Sequence, residues 1–397
     1  MISLSDPALL KTVYCTRGEF VKSNFYEIGD AVANGQRIEN VFSTRNNLFH
    51  SRYLKPYQKY FSMSTVLKKE DLADKVVLSL CEQLEVRFVD NHNKGKTAPL
   101  ADWIEYCAWD LDWELTFSED AGFLKTGADV KGMIHTGERT MRYLGCFATF
   151  NNVAMYSFQK VMERVSSQGE KSRGDLDNFL EAKEQHPDTV TDNEVVSYLM
   201  MDKAIMYNIL SYPHVLEKLR SELDAANLSF PPTYEEMKDL PYLSVVILEG
   251  MRMHPVITGI IERIVPSTGL TLPDGRVIAP GTKVGINPWV STRNKDIYRE
   301  DDDEYRPERW LPYENESEDE SAARLKRMRD ADFTFGSGNR RCVGKYMTFL
   351  ELHKVTSTLI SRYDIQLDDT CKQWSPRWWW FSFVDDINVK IQRRLQT

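Results

Sequence analysis

The sequence predicts a mainly α-helical chain with small β-sheets, and two patterns carry this prediction. Apolar residues recur at three- and four-residue spacing in several long stretches, which is typical of amphipathic helices. Strand signals are concentrated after Pro255, where residues 272–278 predict a hairpin around a Pro-Asp-Gly turn. The chain of 397 residues can bury a large core, and its length alone would allow two or three domains.

The composition excludes several classes of protein. Hydrophobic residues make up 42% and charged residues 27%, as in ordinary globular domains. The net charge of −9 argues against general nucleic-acid binding. Six cysteines without a pairing rhythm fit a reducing compartment better than a disulfide framework. No run approaches about 20 apolar residues, so we expect no transmembrane helix, and the start of the chain shows no signal peptide.

The helices are predicted in chain order. Ser5 and Asp6 can cap a first helix. A tryptophan-rich stripe within residues 101–124 is interpreted as core rather than as a ligand site. The other helices are expected within residues 65–90, 191–210 (behind the capping signature Thr191–Glu194), 215–225 and 240–254, and residues 140–165 are an apolar, aromatic stretch. The highly charged residues 314–330 are interpreted as a solvated loop.

A glycine-rich loop at residues 335–344 delivers one cysteine to the start of a further helix, which is predicted to end near residue 362. Gly336 and Gly338 allow a sharp turn and a close approach to a flat partner. At a helix N-terminus the Cys342 thiolate is favoured over the thiol, and Arg340 is a fixed cation two residues away. The loop therefore suits a soft metal and a nearby anionic group.

Three other interpretations of this loop are weaker or less specific. Arg341 occupies the third glycine position of a dinucleotide-binding loop, which makes that motif a poor match. Zinc is disfavoured because no second Cys or His stands at ligand spacing. A buried structural role is the usual fate of a lone cysteine, and from the residues alone it carries about half the weight.

The whole stretch resembles the haem-binding signature of the cytochrome P-450 family. Each fixed position of that signature is matched, by Phe335, Gly338, Arg340, Cys342 and Gly344. The resemblance implies haem b with Cys342 as its axial thiolate, a haem propionate bound by Arg340, and a sulfur shielded by Phe335. Thiolate ligation favours O–O cleavage at the iron. The resemblance assigns no catalytic side chain, and the haem iron is the one catalytic group that it implies.

A second signature of the same family is also present. Glu249 and Arg252 stand three residues apart in a predicted helix, where alone they would form a local ion pair worth about 0.2–0.5 kcal/mol. The resemblance adds Arg309 from a Pro-Glu-Arg-Trp segment and implies that the three form a buried network supporting the cysteine loop. We assign this network to folding and haem retention.

Two weaker matches concern the haem propionates. The segment 49–56 resembles the family's third helix, in which His50 matches a propionate-binding position. Its basic partner is Arg52 or Lys55, because Leu54 stands where the family often has arginine; a surface histidine remains the alternative. Arg263 matches a third propionate-binding position.

The long helix that crosses the distal face of haem departs from the family's pattern. The run Val195–Leu210 lacks the acid–threonine motif that manages protons for bound oxygen. Relative to the family, this helix near residues 191–212 is shorter by about a dozen residues, or roughly 20 Å. The join lies near Met201 and Asp202, and we interpret it as a missing coding segment or a splice variant.

The resemblance covers most of residues 1–397 and implies one cytochrome P-450 domain. By position, residues 140–165 match the family's substrate-covering helices. Eukaryotic microsomal members begin with a membrane anchor and a small β-rich region, and this chain is expected to start after both, either as an N-terminally truncated sequence or as a short variant. The sequence is also similar to those of fungal members of the family such as pisatin demethylase. This resemblance implies a role in secondary metabolism. By family, the expected location is the cytosolic face of the endoplasmic reticulum membrane.

The implied function is monooxygenation of a small apolar substrate, with electrons from NADPH delivered by a flavoprotein reductase. Arg340, Arg341 and Lys345 lie among seven basic residues around the cysteine loop, the others being Arg324, Lys326, Arg327 and Arg329. They suit either an acidic reductase or solvent alone. Two rival functions are a haem-thiolate enzyme without O₂ activation (a peroxygenase or isomerase) and an inactive haem-binding variant.

Overall fold

A computed structural model describes residues 1–15, 19–33, 36–90, 94–142, 201–368, 377–378 and 380–394. The apolar, aromatic stretch at 140–165 lies outside these ranges except for its first three residues, and the cap at Thr191–Glu194 lies wholly outside them. Of the predicted distal helix, only the part from Met201 onward is described. Within the described ranges, no helix is both long and apolar enough to cross a membrane.

Helices dominate the described chain. The longer ones are α1 Asn47–Leu54, α2 Glu70–Leu84, α3 Leu100–Phe117, α4 Met133–Arg142, α5 Met201–Ser211, α6 Pro213–Ala226, α7 Pro241–Met253, α8 Glu318–Ala331 and α9 Lys345–Arg362. One-turn α-helices span Leu10–Val13, Met63–Val66, Phe123–Thr126, Tyr234–Met237, Pro288–Ser291 and Lys295–Tyr298. Tighter 3₁₀ turns span Pro7–Leu9, Asn24–Gly29, Leu67–Lys69, Val130–Gly132, Pro307–Trp310 and Gly338–Arg340, and a π turn spans Glu85–Val89.

The strands form small sheets. They are β1 Ile2–Leu4, β2 Val21–Lys22, β3 Ala31–Ala33, β4 Gln36–Ile38, β5 Thr97–Pro99, β6 Ile261–Ile264, β7 Leu270–Thr271, β8 Val277–Ile278, β9 Lys283–Ile286, β10 Tyr363–Leu367, β11 Arg377–Trp378, β12 Ser382–Phe383 and β13 Asn388–Arg393. A four-stranded sheet has the order β1-β9-β6-β2, with β1 parallel to β9 and the other pairs antiparallel. Antiparallel β10-β13-β5 forms a second sheet, and β7-β8 is the predicted hairpin.

Two predicted elements differ from those observed. The tryptophan-rich helix ends at Phe117 rather than near 124, because Ser118 takes a left-handed conformation with φ of 54°. The charged stretch within 314–330 is largely helical, so its interpretation as a loop was wrong. A capping box, in which the Ser317 and Glu320 side chains each bond the other's backbone, begins α8 and satisfies N–H groups that would otherwise lack partners.

The main core lies between α2, α3, α5, α7 and α9. Each helix contributes fully buried apolar side chains at helical spacing, as the periodicity predicted for α2 and α9; among them are Leu80, Leu100, Ile205, Val246 and Leu359. Burying one such side chain stabilises the fold by about 1.5–3 kcal/mol. This core holds α9, and therefore the end of the cysteine loop, against α5 and α7.

A buried pair of acids joins α5 to α9 within this core. The carboxyls of Asp202 and Glu351 are hydrogen-bonded to each other, and each also has one buried oxygen without a partner among the described residues. Burial raises the pKa of Asp202 to about 6, and burial together with the Asp202 charge raises the pKa of Glu351 well above its usual value. Two ionised carboxylates could not share this site, so at least one holds its proton at neutral pH.

The acid pair predicts a pH-dependent effect of Asp202→Asn. Because the folded-state pKa of Asp202 is raised, its contribution to stability is present at low pH and is lost as pH rises through about 6. The amide cannot ionise, so the variant should be more stable than the parent at pH 8, by on the order of 2 kcal/mol, and by less at pH 5. Thermal unfolding at both pH values measures the difference.

The exposed Asp239→Asn is the matched control and should shift the melting temperature little, and equally, at both pH values. A gain for Asp202→Asn that is the same at pH 5 and pH 8 would contradict a shared proton.

Candidate functional site

The cysteine loop is held by its own backbone. Gly336 and Gly338 take positive φ angles of 70° and 66°, which only glycine adopts without strain. The Cys342 amide then donates to the Phe335 carbonyl at 2.8 Å, which closes the loop. Helix α9 begins at Lys345 with Gly344 as its N-cap. Cys342 therefore lies three residues before the helix rather than in its first turn, and the helix dipole acts on its sulfur more weakly than the sequence suggested.

The close approach predicted for Gly338 is made to the chain itself. A β-carbon at this position would overlap the carbonyl oxygen of Tyr14, so the loop packs directly on the backbone of the N-terminal segment. The tyrosine is anchored in turn, because its hydroxyl donates to the Ile261 carbonyl at 2.6 Å and accepts from the Ile286 amide at 2.8 Å. The glycine therefore fixes the loop against the four-stranded sheet.

Aromatic rings line one side of the loop. Phe335 is 8% exposed, and its ring centroid lies 5.6 Å from that of Phe349 in α9. The ammonium of Lys345 lies 5.8 Å and 5.5 Å from these two ring centroids. Cys342 is partly buried and packs against the main core. Cys342 thus packs against an apolar core to which the Phe335 and Phe349 side chains also belong.

A second group of residues forms a buried cluster of bases, consisting of Lys22, His50, Arg263 and Arg340. The exposed fractions of Lys22, His50 and Arg263 are 6%, 4% and 4%. Arg340 donates to the Asn47 side-chain oxygen from Nη2 at 2.8 Å and from Nε at 3.2 Å. Arg263 donates to the Glu262 carbonyl at 2.8 Å and lies over the Tyr14 ring at 4.9 Å. Lys22, which the sequence analysis missed, thus belongs to the same cluster as the three residues predicted to bind propionates.

The members of this buried base cluster disfavour one another's charge. Burial, followed by the charges of Arg340 and Lys22, lowers the pKa of His50 to about 3. Burial, followed by the charge of Arg263, lowers the pKa of Arg340 to about 10. Nδ1 of His50 is buried and has no hydrogen-bond partner in the part of the chain that the structure describes. A cluster with these properties fits an anionic group with several acceptor oxygens, such as the two carboxylates of haem.

His50 lies on a helix, as predicted, and it is buried rather than at the surface, as the alternative interpretation would have it. His50 is a buried member of α1, whereas Arg52 is exposed and Lys55 follows the helix. No signal in the local sequence identifies Lys22, because it joins the other bases only through pairing of β2 with β6.

Glu249 is the centre of a fully buried ion-pair network. Arg252 donates to it from Nε and Nη2, both at 2.8 Å, and Arg309 donates from Nε at 2.8 Å. Burial alone would raise the pKa of Glu249, but the hydrogen bonds and charges of the two arginines lower it. Two donors that sequence reasoning missed complete the shell, namely Trp310 Nε1 at 2.8 Å and the Arg306 amide at 3.0 Å.

The same network ties a long connecting segment to α7. Arg252 donates to the backbone carbonyls of Thr292, Asp302 and Glu304, and Arg309 donates to those of Tyr298, Asp301 and Glu304. The remaining guanidinium protons are therefore satisfied mainly by main chain, and Arg309 Nη1 also donates to the Asp301 carboxylate at 3.3 Å. The network thus holds residues 292–310, which precede α8 and the cysteine loop, against the core helix.

The predicted basic surface is smaller than the seven residues suggest. Arg324 is buried, and its guanidinium donates to Glu316 and to the Leu311 carbonyl. The guanidinium of Arg340 belongs to the buried base cluster rather than to this surface. Lys326 is exposed but pairs with Asp330 at 2.8 Å. The exposed basic residues that remain are Arg327, Arg329 and Arg341, with Lys345 partly exposed.

Comparison with known proteins places this chain in a family. The family model described as Cytochrome P450 matches residues 202–386. Cytochrome P450 monooxygenase cfoH of Aspergillus candidus is 31% identical over 429 aligned positions, covering 99% of this chain and 80% of that protein. Cytochrome P450 monooxygenase pkfB of Emericella nidulans is 32% identical over 436 positions, covering 100% and 83%.

A further relative, a cytochrome P450 monooxygenase of Aspergillus terreus, is 32% identical over 92% of this chain and 81% of its own length. The chain belongs to the cytochrome P450 family, with fungal monooxygenases among its relatives. This membership confirms the predicted family, the mainly helical fold class and the assignment to the oxidoreductases, and it implies haem with a cysteine thiolate as the cofactor.

The Glu249 network predicts a large loss of stability for Glu249→Gln. The amide is the same size but, among the described residues, leaves Arg252 buried without a counter-charge and leaves Arg309 with only the Asp301 carboxylate at 3.3 Å, which should cost about 3–5 kcal/mol. Urea unfolding followed by tryptophan fluorescence measures this loss. Glu300→Gln is the control, since it removes an exposed pair with Lys295 and should leave the unfolding midpoint unchanged. Equal midpoints for the two variants would show that the network contributes no net stability.

Proposed function

We propose that this chain is a haem-thiolate monooxygenase that inserts one oxygen atom from O₂ into a small apolar organic substrate. The observation that carries the proposal is the position of Cys342, in a loop whose Arg340 extends into the buried base cluster. One thiolate and a set of buried cations match the two kinds of group on haem b, its iron and its propionates. Family membership supports haem monooxygenation in general.

Different residues of the site would bind different parts of haem. Cys342 would ligate the iron, and Arg340, Arg263 and His50 would hold the propionates. Gly338 and Gly344 give the loop its backbone course, and Phe335 would shield the sulfur. When bound, haem supplies the activation of O₂, because a thiolate ligand pushes electron density toward the iron. Glu249, Arg252 and Arg309 act at a distance, by holding the segment that precedes the loop.

The chain's own contribution near the iron is mainly positioning and shielding. The hydrogen bond from the Cys342 amide to the Phe335 carbonyl fixes the course of the backbone around Cys342. The rings of Phe335 and Phe349 give that side an apolar wall, which limits the access of water to a thiolate. The nearest predicted cation, Arg340, is turned toward Asn47 and so would neutralise a propionate rather than the sulfur.

The proposal treats residues 1–397 as one cytochrome P450 domain with a shortened distal helix near 191–212. Two comparisons support it. The family model matches from residue 202, which is where the sequence pattern departs from the family. The alignments with the relatives run to 429 and 436 positions, more than the 397 residues of this chain, so they contain gaps opposite it.

Electrons would come from NADPH through a flavoprotein reductase, at the cytosolic face of the endoplasmic reticulum membrane as in related microsomal enzymes. The exposed Arg341 and the partly exposed Lys345 flank Cys342 in sequence and form the centre of the proposed docking surface. Opposite charge on an acidic partner would speed encounter and would be weakened by salt.

Cys342→Ser tests the proposed cofactor. The carbon monoxide difference spectrum of the reduced, purified parent chain should show the shifted Soret band of thiolate ligation, and Cys342→Ser should lose it because a hydroxyl does not replace a thiolate on iron. Cys15→Ser, which also replaces a partly buried cysteine outside any disulfide, should keep it. A parent chain without haem would contradict the proposal. A parent with haem but only peroxide-supported turnover would move the function to the peroxygenase alternative.

Reversal of the docking charges tests the redox partner. Arg341→Glu combined with Lys345→Glu should slow reductase-supported reduction of the haem by about tenfold at low ionic strength, and the difference should shrink at high salt. The control is Arg276→Glu in the β7–β8 hairpin, an exposed arginine that pairs only with Asp274 among the described residues. Reduction rates that are unchanged at low salt would exclude this surface as the docking site.

A further inference from the structure

Lys22 occupies a position that local structure does not explain. It lies in β2 directly opposite Arg263 of β6, so two positive side chains face each other across neighbouring strands. Like charges in such cross-strand pairs are destabilising. Both side chains are also more than nine-tenths buried, at 6% and 4% exposed. The pairing therefore combines repulsion with loss of hydration.

The contacts of the Lys22 ammonium do not neutralise it. It donates to the Phe42 carbonyl, and it lies 4.4 Å from the Tyr26 ring centroid and 4.6 Å from that of Phe42. A carbonyl and two ring faces satisfy donors and attract a cation weakly, but they carry no net charge. In the part of the chain that the structure describes, no carboxylate lies within ion-pair distance of Lys22. Burial, followed by the charges of Arg263 and Arg340, lowers its pKa well below the usual value.

A purely structural role would not require a lysine here. The rings of Tyr26 and Phe42 would pack equally well on the unbranched, uncharged side chain of methionine, which loses only one hydrogen bond to a carbonyl. The contrast with Lys354 is informative, because that lysine is fully buried yet pairs with Glu70 at 2.8 Å and also with Asp74. Among the described residues, the chain thus supplies anions for Lys354 and none within ion-pair distance of Lys22.

We propose that Lys22 is a further haem-positioning residue, which binds a propionate of the cofactor together with Arg263 and Arg340. The inference deepens the proposed function and rests on it. It follows from the location of Lys22 directly opposite Arg263, in the buried base cluster, where the charges of Arg263 and Arg340 repel Lys22 and the charge of Lys22 repels a proton on His50. An anion would relieve both effects. An incoming carboxylate supplies the missing counter-charge to the β2–β6 pair.

A charge-deletion cycle tests this assignment. The parent chain and Lys22→Met are each reconstituted with iron protoporphyrin IX and with its dimethyl ester, which lacks the propionate charges. Release of each porphyrin to excess apomyoglobin is then timed. Lys22→Met should speed release of the free-acid porphyrin by about tenfold to a hundredfold, the range of a charge-assisted hydrogen bond. It should change release of the diester by much less.

Two controls separate binding from folding. Lys283→Met removes a lysine of β9 in the same sheet, 3.6 Å from Glu262, and should release both porphyrins at the parent's rate. The second control is the free energy of unfolding of the chains without porphyrin. Because Lys22→Met removes a buried charge that its neighbours repel, the variant should be at least as stable as the parent, although it holds the porphyrin less well.

The outcomes distinguish the two levels of the proposal. Equal acceleration of the acid and the diester by Lys22→Met, or no acceleration at all, would overturn the role of Lys22 while leaving the haem-thiolate function in place. A less stable apo variant with the same loss for both porphyrins would identify a structural lysine. A parent chain that binds neither porphyrin would overturn the proposed function and this inference together.

Discussion

The buried carboxylate of Glu249 is the interaction on which the arrangement of the site depends. It accepts five hydrogen bonds from two parts of the chain: two from Arg252 in its own helix, and one each from the Arg306 amide and the side chains of Arg309 and Trp310. A single buried charge of this kind would be very costly, but one that is paired and fully hydrogen-bonded is specific to one geometry. It fixes the segment leading to α8 and then to the cysteine loop.

The buried base cluster differs from this network in its charge balance. Around Glu249 the donors and acceptors all come from the chain, so the network is complete by itself. Around Lys22, Arg263 and Arg340 the described residues bring mainly carbonyls, an amide and aromatic rings, with the Glu39 carboxylate offsetting part of the repulsion at Arg340. Burial and the neighbouring cations still lower the pKa values of Lys22 and Arg340. Charge that a protein buries without balancing it suits a ligand that carries the opposite charge. We therefore propose that one network serves folding and that the other serves recognition of a carboxylate-bearing cofactor.

The acid pair in the core connects these sites to the helix that departs from the family pattern. Asp202 is the second residue of α5 as described, and its partner Glu351 lies in α9, nine residues beyond Cys342. Their shared proton makes the packing of α5 on α9 sensitive to pH near the raised pKa of Asp202, about 6. The neighbouring Cys107 is fully buried, and its pKa is raised well above the usual value by burial and by the acids, so it stays a neutral apolar group.

The sequence by itself determined the elements whose signal is local. The apolar periodicity of α2 and α9, the Pro-Asp-Gly hairpin, the glycines of the cysteine loop, and the spacing of Glu249 and Arg252 all act over a few residues. Only the tertiary structure decided that Lys22 faces Arg263, that Tyr14 is the close neighbour of Gly338, that Arg324 is buried, and that Asp202 meets Glu351. These contacts join residues far apart in the chain, and hydrogen bonding, burial and charge at such sites depend on strand pairing and helix packing rather than on neighbouring residues.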